Sequence, residues 1–301
     1  MITPPFIKVG DKVGVAAPGR KISKEDFKAA ANVMSSWGVE VVQATNLFSS
    51  SHNYLAGTDL ERLTDFQHLV DDPNIKAIIC ARGGYGTTRI LDDIDFSNLS
   101  KNPKWIVGFS DITALHLRLA ALGIKSIHAT MPVLFSRPDS SPSVETLWSV
   151  LKGSKTEISA PFDKMNKHGQ ATGHIIGGNL SLVADAIGTS NQPNTTGKIL
   201  VLEEIEEYTY KIDRMLMHLK RSGKLDDLAG LVIGHMTDIK EPELPFGQTV
   251  KEIILEKVSD FGYPVSFNFP IGHENPNLAW IHGASMTLTV TQNGSQLAPG
   301  S

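Results

Sequence analysis

The sequence predicts an α/β fold, and three features carry that expectation. Short apolar runs alternate with amphipathic stretches of roughly 10 to 15 residues, the pattern of parallel strands covered by helices on both faces. The runs at 75–81 and 105–108 hold a single charged residue between them, Lys76, as strands buried on both sides do. Helix starts are marked by capping signatures: Ser23 with Asp26 three places on, and Thr58 with Glu61 three places on.

Taken in order, residues 12–17 read as a first buried strand ending at Pro18-Gly19, and a helix from Ser23 closes at Trp37-Gly38. A strand at 39–42, a polar loop at 49–57 and a helix with Leu60, Leu63, Phe66 and Leu69 on its apolar side lead to the strand at 75–81. Further strands are expected at 105–108 and 124–131, with a short helix at 144–151. Residues 152–172 are polar and aperiodic, which suggests a linker. The division expected is an N-terminal α/β domain over 1–152, a linker over 153–172 and a smaller C-terminal α/β domain of mixed strands over 173–301. In the second half, strands are expected at 198–202, 228–234, 263–268 and 284–290, with helices at 208–221 and 249–258.

Composition narrows the function. The chain has 301 residues and a formal net charge of −4 with both signs mixed, which argues against a nucleic-acid polyanion as main partner. Cys80 is the only cysteine, so neither an internal disulfide nor a thiolate metal cluster is available. No His-x-x-x-His or His-Glu-x-x-His occurs, and neither a metal nor a cofactor is expected. The first residues lack the apolar run of a signal peptide and no segment nears 18 uninterrupted apolar residues, so a soluble cytoplasmic protein is expected, without membrane contact.

Two glycine-bearing loops stand out. The stretch 104–119 begins as an apolar strand, passes through Gly108-Phe109-Ser110-Asp111, and continues as a helical pattern. A serine at such a strand-to-helix turn holds its hydroxyl at the sheet's carboxyl edge, where it is a candidate nucleophile. Capping of the following helix by Ser110 or Asp111 explains the same residues. The loop Ala81-Arg82-Gly83-Gly84-Tyr85-Gly86 lets backbone amides approach a ligand closely, although it matches neither the phosphate-loop nor the dinucleotide pattern. Both loops follow strands of one sheet and so share the edge where open α/β sheets bind ligands. In the second half, Asn179 is a candidate cap for the next helix. Glu203 closes an apolar strand ahead of Glu204, Glu206 and Glu207, and His273 follows a strand and a glycine in a loop free to aim it.

Arg82-Gly83-Gly84-Tyr85-Gly86, Gly108-Phe109-Ser110-Asp111, Gly177-Gly178-Asn179-Leu180, Glu203-Glu204 with Tyr210-Lys211-Ile212-Asp213-Arg214, and Pro270-Ile271-Gly272-His273 occur together in this order. In this the chain resembles the LD-carboxypeptidase family of serine peptidases, which includes muramoyltetrapeptide carboxypeptidases and microcin C self-immunity hydrolases. The resemblance spans about residues 12–292. It implies Ser110 as nucleophile, His273 as base and Glu203 as acid, with an oxyanion hole from the amides of Gly84 and Asp111. It also implies a murein tetrapeptide substrate cut before its terminal D-Ala. Arg82, Gly83, Tyr85 and Asn179 become substrate-binding candidates, Arg82 as a clamp for the terminal carboxylate. Where many members carry Asp after the catalytic Glu this chain has Glu204, which keeps the neighbouring carboxylate as an alternative for that role. Ala129 replaces a common glycine. The alternatives are a same-mechanism hydrolase of peptidyl or aminoacyl nucleotides and a non-catalytic α/β binding protein. A homodimer is the expected assembly.

Overall fold

The computed structural model describes residues 1–300. Its first half runs β1 (Lys12–Ala16), α1 (Lys24–Ser36), β2 (Glu40–Gln43), α2 (Asp59–Asp71), β3 (Ile75–Cys80), β4 (Trp105–Gly108), α3 (Thr113–Ala121), β5 (Ser126–His128) and α4 (Ser141–Leu151). The five strands are parallel in the order β2-β1-β3-β4-β5, the flavodoxin-like arrangement, whose ligand crevice lies beyond the strands' carboxyl ends.

Strand alternation explains how both faces are filled. Ala77, Ile79 and Val107 pack into a core shared with Ala30, Met34 and Leu147 of α1 and α4. Ile78, Cys80 and Ile106 enter the opposite core with Phe66, Leu69 and Leu115 of α2 and α3. Both expected helix starts are present. Ser23 Oγ accepts the Asp26 amide at 3.0 Å, and Thr58 and Glu61 form a reciprocal capping box.

The second half runs β6 (Ile158–Ala160), β7 (Gly169–Asn179), α5 (Leu180–Asp185), β8 (Lys198–Ile205), α6 (Thr209–Arg221), β9 (Gly230–Thr237), α7 (Val250–Val258), β10 (Val265–Ser266), β11 (Trp280–His282), β12 (Ser285–Thr291) and β13 (Gly294–Pro299). A seven-stranded sheet is ordered β10-β9-β8-β7-β12-β13-β6, parallel from β10 to β7 and antiparallel from β7 onward. Residues 153–172, expected to be a linker, instead supply β6 and the beginning of β7. The early part of β7 is solvent-exposed and pairs with β12, so it needs no apolar run to be held in place. The strand expected at 263–268 contracts to Val265–Ser266, and neither β11 nor β13 was anticipated.

β11, although it belongs to the second half of the chain, joins the first sheet antiparallel to β5, with Trp280 opposite His128 and His282 opposite Ser126. This crossover buries three imidazoles. His128 stacks on Trp280 at 5.0 Å between ring centroids, and His116 on His282 at 5.6 Å. His116 donates Nε2–H to the Gly108 carbonyl at 2.9 Å, which leaves Nδ1 to accept from the Ser126 hydroxyl at 2.8 Å. Among the described residues, neither His128 ring nitrogen has a partner. Burial pushes His116 down to about 4 and holds His128 and His282 well below the ordinary histidine value of 6.5.

Below pH 6.5 the unfolded chain takes up protons that these buried rings refuse, so stability present above 6.5 is lost as pH falls toward 4. His116 alone amounts to about 3 kcal/mol over that window, since each tenfold loss of proton affinity is worth about 1.4 kcal/mol. The urea midpoint is therefore expected to fall between pH 7 and pH 4.5, and His128→Phe, which keeps a flat ring against Trp280, to lessen that fall. An equal fall in His128→Phe would mean that His128 takes no part in it.

Candidate active site

Ser110 lies at the end of β4, where the chain turns into a single 3-10 turn, Ser110–Ile112, before α3. Its φ of 62° is left-handed, a conformation that costs a non-glycine residue about 1–3 kcal/mol unless the surroundings hold it. Neither Ser110 nor Asp111 caps the helix through its side chain, so capping does not account for these residues. The Asp111 side chain is buried, and its Oδ2 accepts the Thr87 amide at 2.9 Å, tying the loop after β3 to the loop after β4. Burial raises the Asp111 pKa above the usual carboxylate value, against the hydrogen bonds from Thr87. Arg62 supplies a second tie: it donates to the carbonyls of Pro18 and Gly86 and so links the loops after β1 and β3. Gly83 then packs so closely on the serine that a Cβ there would fall 3.3 Å from Ser110 Oγ.

Glu203 and Glu204 come from β8, where the register with β9 shifts between Leu202 and Glu204. Successive side chains on a strand point to opposite faces, so the two adjacent acids serve different partners. Glu204 accepts from Asn179 Nδ2 at 2.8 Å, from the Ser181 amide at 2.8 Å and from the Ser181 hydroxyl at 2.6 Å. Burial raises its pKa and these hydrogen bonds oppose the rise. Glu203 is wholly buried and its Oε2 lies 2.6 Å from His273 Nδ1. Of the two carboxylates, Glu203 is therefore the one in contact with the imidazole.

His273 is delivered by the loop after β10. Gly272, at φ 123°, lets that loop pass over Glu203, since a Cβ would stand 3.0 Å from Glu203 Oε2. The Gly272 amide donates to Asn277 Oδ1 at 3.0 Å, and the His235 amide donates to the Ile271 carbonyl at 2.8 Å. His273 Nε2 lies 3.0 Å from Ser110 Oγ, and the ring sits 4.8 Å from Phe109 between centroids. An ionised carboxylate only accepts, so Nδ1 carries the proton toward Glu203, and Nε2 accepts from the Ser110 hydroxyl. Burial disfavours the imidazolium, but the charge and hydrogen bond of Glu203 outweigh it, and the His273 pKa is raised above 6.5.

These groups open into a cleft of about 720 Å³. Gly83 and Gly84 line it, and neither the Gly84 nor the Asp111 amide is used by a turn or cap hydrogen bond. Arg82 lines it also, with Nη1 donating to the Lys21 carbonyl at 3.4 Å. Asn179 reaches the wall, although its side chain is already engaged with Glu204 and caps α5 through the Leu182 amide at 3.3 Å. Tyr85 is half-exposed and does not line the cleft. Arg20, Tyr54 and Arg137, which the sequence did not single out, line the same cleft. The one available signal was for Arg20, which follows Pro18-Gly19 beyond β1, beside the switch point between β1 and β3.

The comparisons with known proteins agree with this architecture. Residues 13–129 match the LD-carboxypeptidase N-terminal domain, and residues 172–288 the LD-carboxypeptidase C-terminal domain. A murein tetrapeptide carboxypeptidase of Pseudomonas aeruginosa is 30% identical over 292 residues, 93% of this chain and 94% of that protein. The crystal structure of a muramoyltetrapeptide carboxypeptidase from Oxalobacter formigenes superposes with a TM-score of 0.88 at 30% identity, covering 96% of this chain and 99% of that one. An MccF-like protein from Bacillus anthracis superposes with a TM-score of 0.86 at 25% identity, covering both chains completely. The fold and the sequence matches thus define a peptidase of α/β architecture. The chain belongs to the LD-carboxypeptidase family.

The electrostatics of His273 are directly measurable. The imidazole resonances are expected to titrate above pH 6.5, and in Glu203→Gln the midpoint is expected to drop, because burial then acts without the compensating charge. The raised pKa also gives His273 a stabilising contribution that is present below pH 6.5 and lost as pH rises through the folded value. An unchanged titration in Glu203→Gln would show that the carboxylate does not set the charge of this ring.

Proposed function

We propose that the chain is a serine-type LD-carboxypeptidase that removes the terminal D-Ala of murein tetrapeptides through an acyl-enzyme on Ser110. The observation that carries this reading is the unbroken chain from Ser110 Oγ through His273 to Glu203, at 3.0 and 2.6 Å. His273 Nε2 takes the Ser110 proton as Oγ attacks the carbonyl of the third residue. Glu203 holds the imidazole in the productive tautomer and stabilises the cation that forms. The Gly84 and Asp111 amides receive the developing oxyanion, each worth roughly 3 kcal/mol by the measure of other oxyanion donors. His273 then protonates the departing amine of D-Ala and activates water, which releases the acyl group and restores Ser110. On this reading the nucleophile belongs to the N-terminal unit, 1–152, and the acid and base to the C-terminal unit, 173–301. The same reading puts the enzyme, as a homodimer, in the cytoplasm, acting on recycled murein peptides.

A second reading, hydrolysis of a peptidyl or aminoacyl nucleotide by the same groups, draws support from the likeness to the Bacillus anthracis MccF-like structure. Incubation with murein tetrapeptide and, separately, with an aminoacyl nucleotide separates the two, the products being identified by mass. Release of D-Ala from the tetrapeptide is the expected result.

The division of labour is tested by substitution. Ser110→Ala and His273→Ala are each expected to lower kcat by several orders of magnitude, and the double variant to cost little beyond either single one, since the two act together. Glu203→Gln is expected to lower kcat substantially, with a smaller effect on substrate binding measured in single-turnover experiments. Near-normal turnover in Ser110→Ala would rule out the covalent route.

A further inference from the structure

We infer that Arg20, Arg82 and Arg137 together form the subsite that reads the free terminal carboxylate of the substrate, an inference that rests on the peptidase reading above. The three guanidinium-bearing side chains line one cleft from three separate loops, following β1, β3 and β5. Among the described residues none of them forms an ion pair with a carboxylate, whereas Arg62 and Arg89 both do. Arg20 lies over the Tyr54 ring at 4.9 Å, which orients its planar group while leaving its N–H donors free. Burial, then the nearby charge of Arg20 and, more weakly, of Arg137, lowers the pKa of the Arg82 guanidinium. Three like charges lining one cleft repel one another, and an anion bound among them relieves that repulsion.

Covalent geometry fixes where such an anion has to sit. In an exopeptidase substrate the terminal carboxylate carbon is one residue beyond the scissile carbonyl carbon, about 3–4 Å away. Its subsite must therefore adjoin Ser110, and Gly83, next to Arg82 in the chain, is packed against Ser110 Oγ. The second half of the chain gives the cleft a direction. Glu206 and Asp238 line it, and the Glu206 charge is felt at His273. A terminal carboxylate placed beside those acids meets like charge, while among the arginines it meets forked donors suited to its two oxygens.

The test compares murein tetrapeptide bearing its free carboxylate with the same peptide ending in a carboxamide, and reads the ratio of the two kcat/KM values. A large preference for the acid is expected in the unmodified enzyme. Arg20→Gln and Arg137→Gln are each expected to reduce that ratio by about 10- to 100-fold, the loss of a charge-assisted hydrogen bond. The same preference, and its loss, is expected in calorimetric Kd values for the two peptides measured in a Ser110→Ala background, which removes turnover from the comparison. If kcat/KM falls equally for both peptides, or the ratio is unchanged, the arginines do not read the carboxylate and the subsite is wrong while the peptidase reading stands. Hydrolysis of neither peptide by the unmodified enzyme overturns the peptidase reading and the subsite with it.

Discussion

A carboxylate with no access to water has to be given a partner, and Glu203 is the one around which this molecule closes. Its position on β8 is wholly buried, where an unpaired charge costs several kcal/mol. Among the described residues the donor reaching it is His273, presented by a loop that passes overhead because residue 272 has no side chain. The remaining imidazole nitrogen is left facing Ser110, 163 positions away in sequence. One electrostatic requirement thus orients the histidine, and the histidine joins the carboxyl edges of two sheets.

The first sheet meets that edge with loops under tension. Ser110 holds a left-handed backbone that a non-glycine residue adopts at a cost, and buried side chains keep it there. Asp111 binds the amide of Thr87, and Arg62 binds carbonyls on two neighbouring loops. Both belong to the scaffold and hold the loops that carry Ser110, Gly83 and Arg82 as a single rigid edge. Behind that edge lies the histidine and tryptophan stack formed where β11 pairs with β5, an apolar layer with unsatisfied ring nitrogens whose burial favours neutral imidazoles.

The cleft is polar in a way that the overall charge conceals. A net charge of −4 over 301 residues suggests an ordinary mixed surface, yet the arginines sit on loops of the first half and the free acids on loops of the second. Because both halves line one cleft with side chains of opposite sign, folding converts a mixed composition into an uneven field around the site. Such a field orients a substrate with charge at one end before any short-range contact forms.

Much of this was legible in the sequence because it is local. Period-2 and helical patterning located most helices and strands, capping residues marked the starts of α1 and α2, and the motifs around Ser110, Glu203 and His273 singled out the residues that meet at the cleft. What the sequence by itself left open depends on contacts between distant segments. The beginning of β7 is too polar to read as a strand and is held by pairing with β12, and β11 is a short segment whose partner belongs to the other half of the chain. Glu203 and Glu204 point to opposite faces of β8, and which of them meets the histidine depends on where the distant loop carrying His273 is laid down, which no local pattern encodes. Arg20 and Arg137 are ordinary loop arginines until the β1, β3 and β5 ends are drawn to one edge. Local propensities determined the elements; the long-range pairing of strands determined which side chains share the cleft, because only that pairing brings loops distant in sequence to one edge.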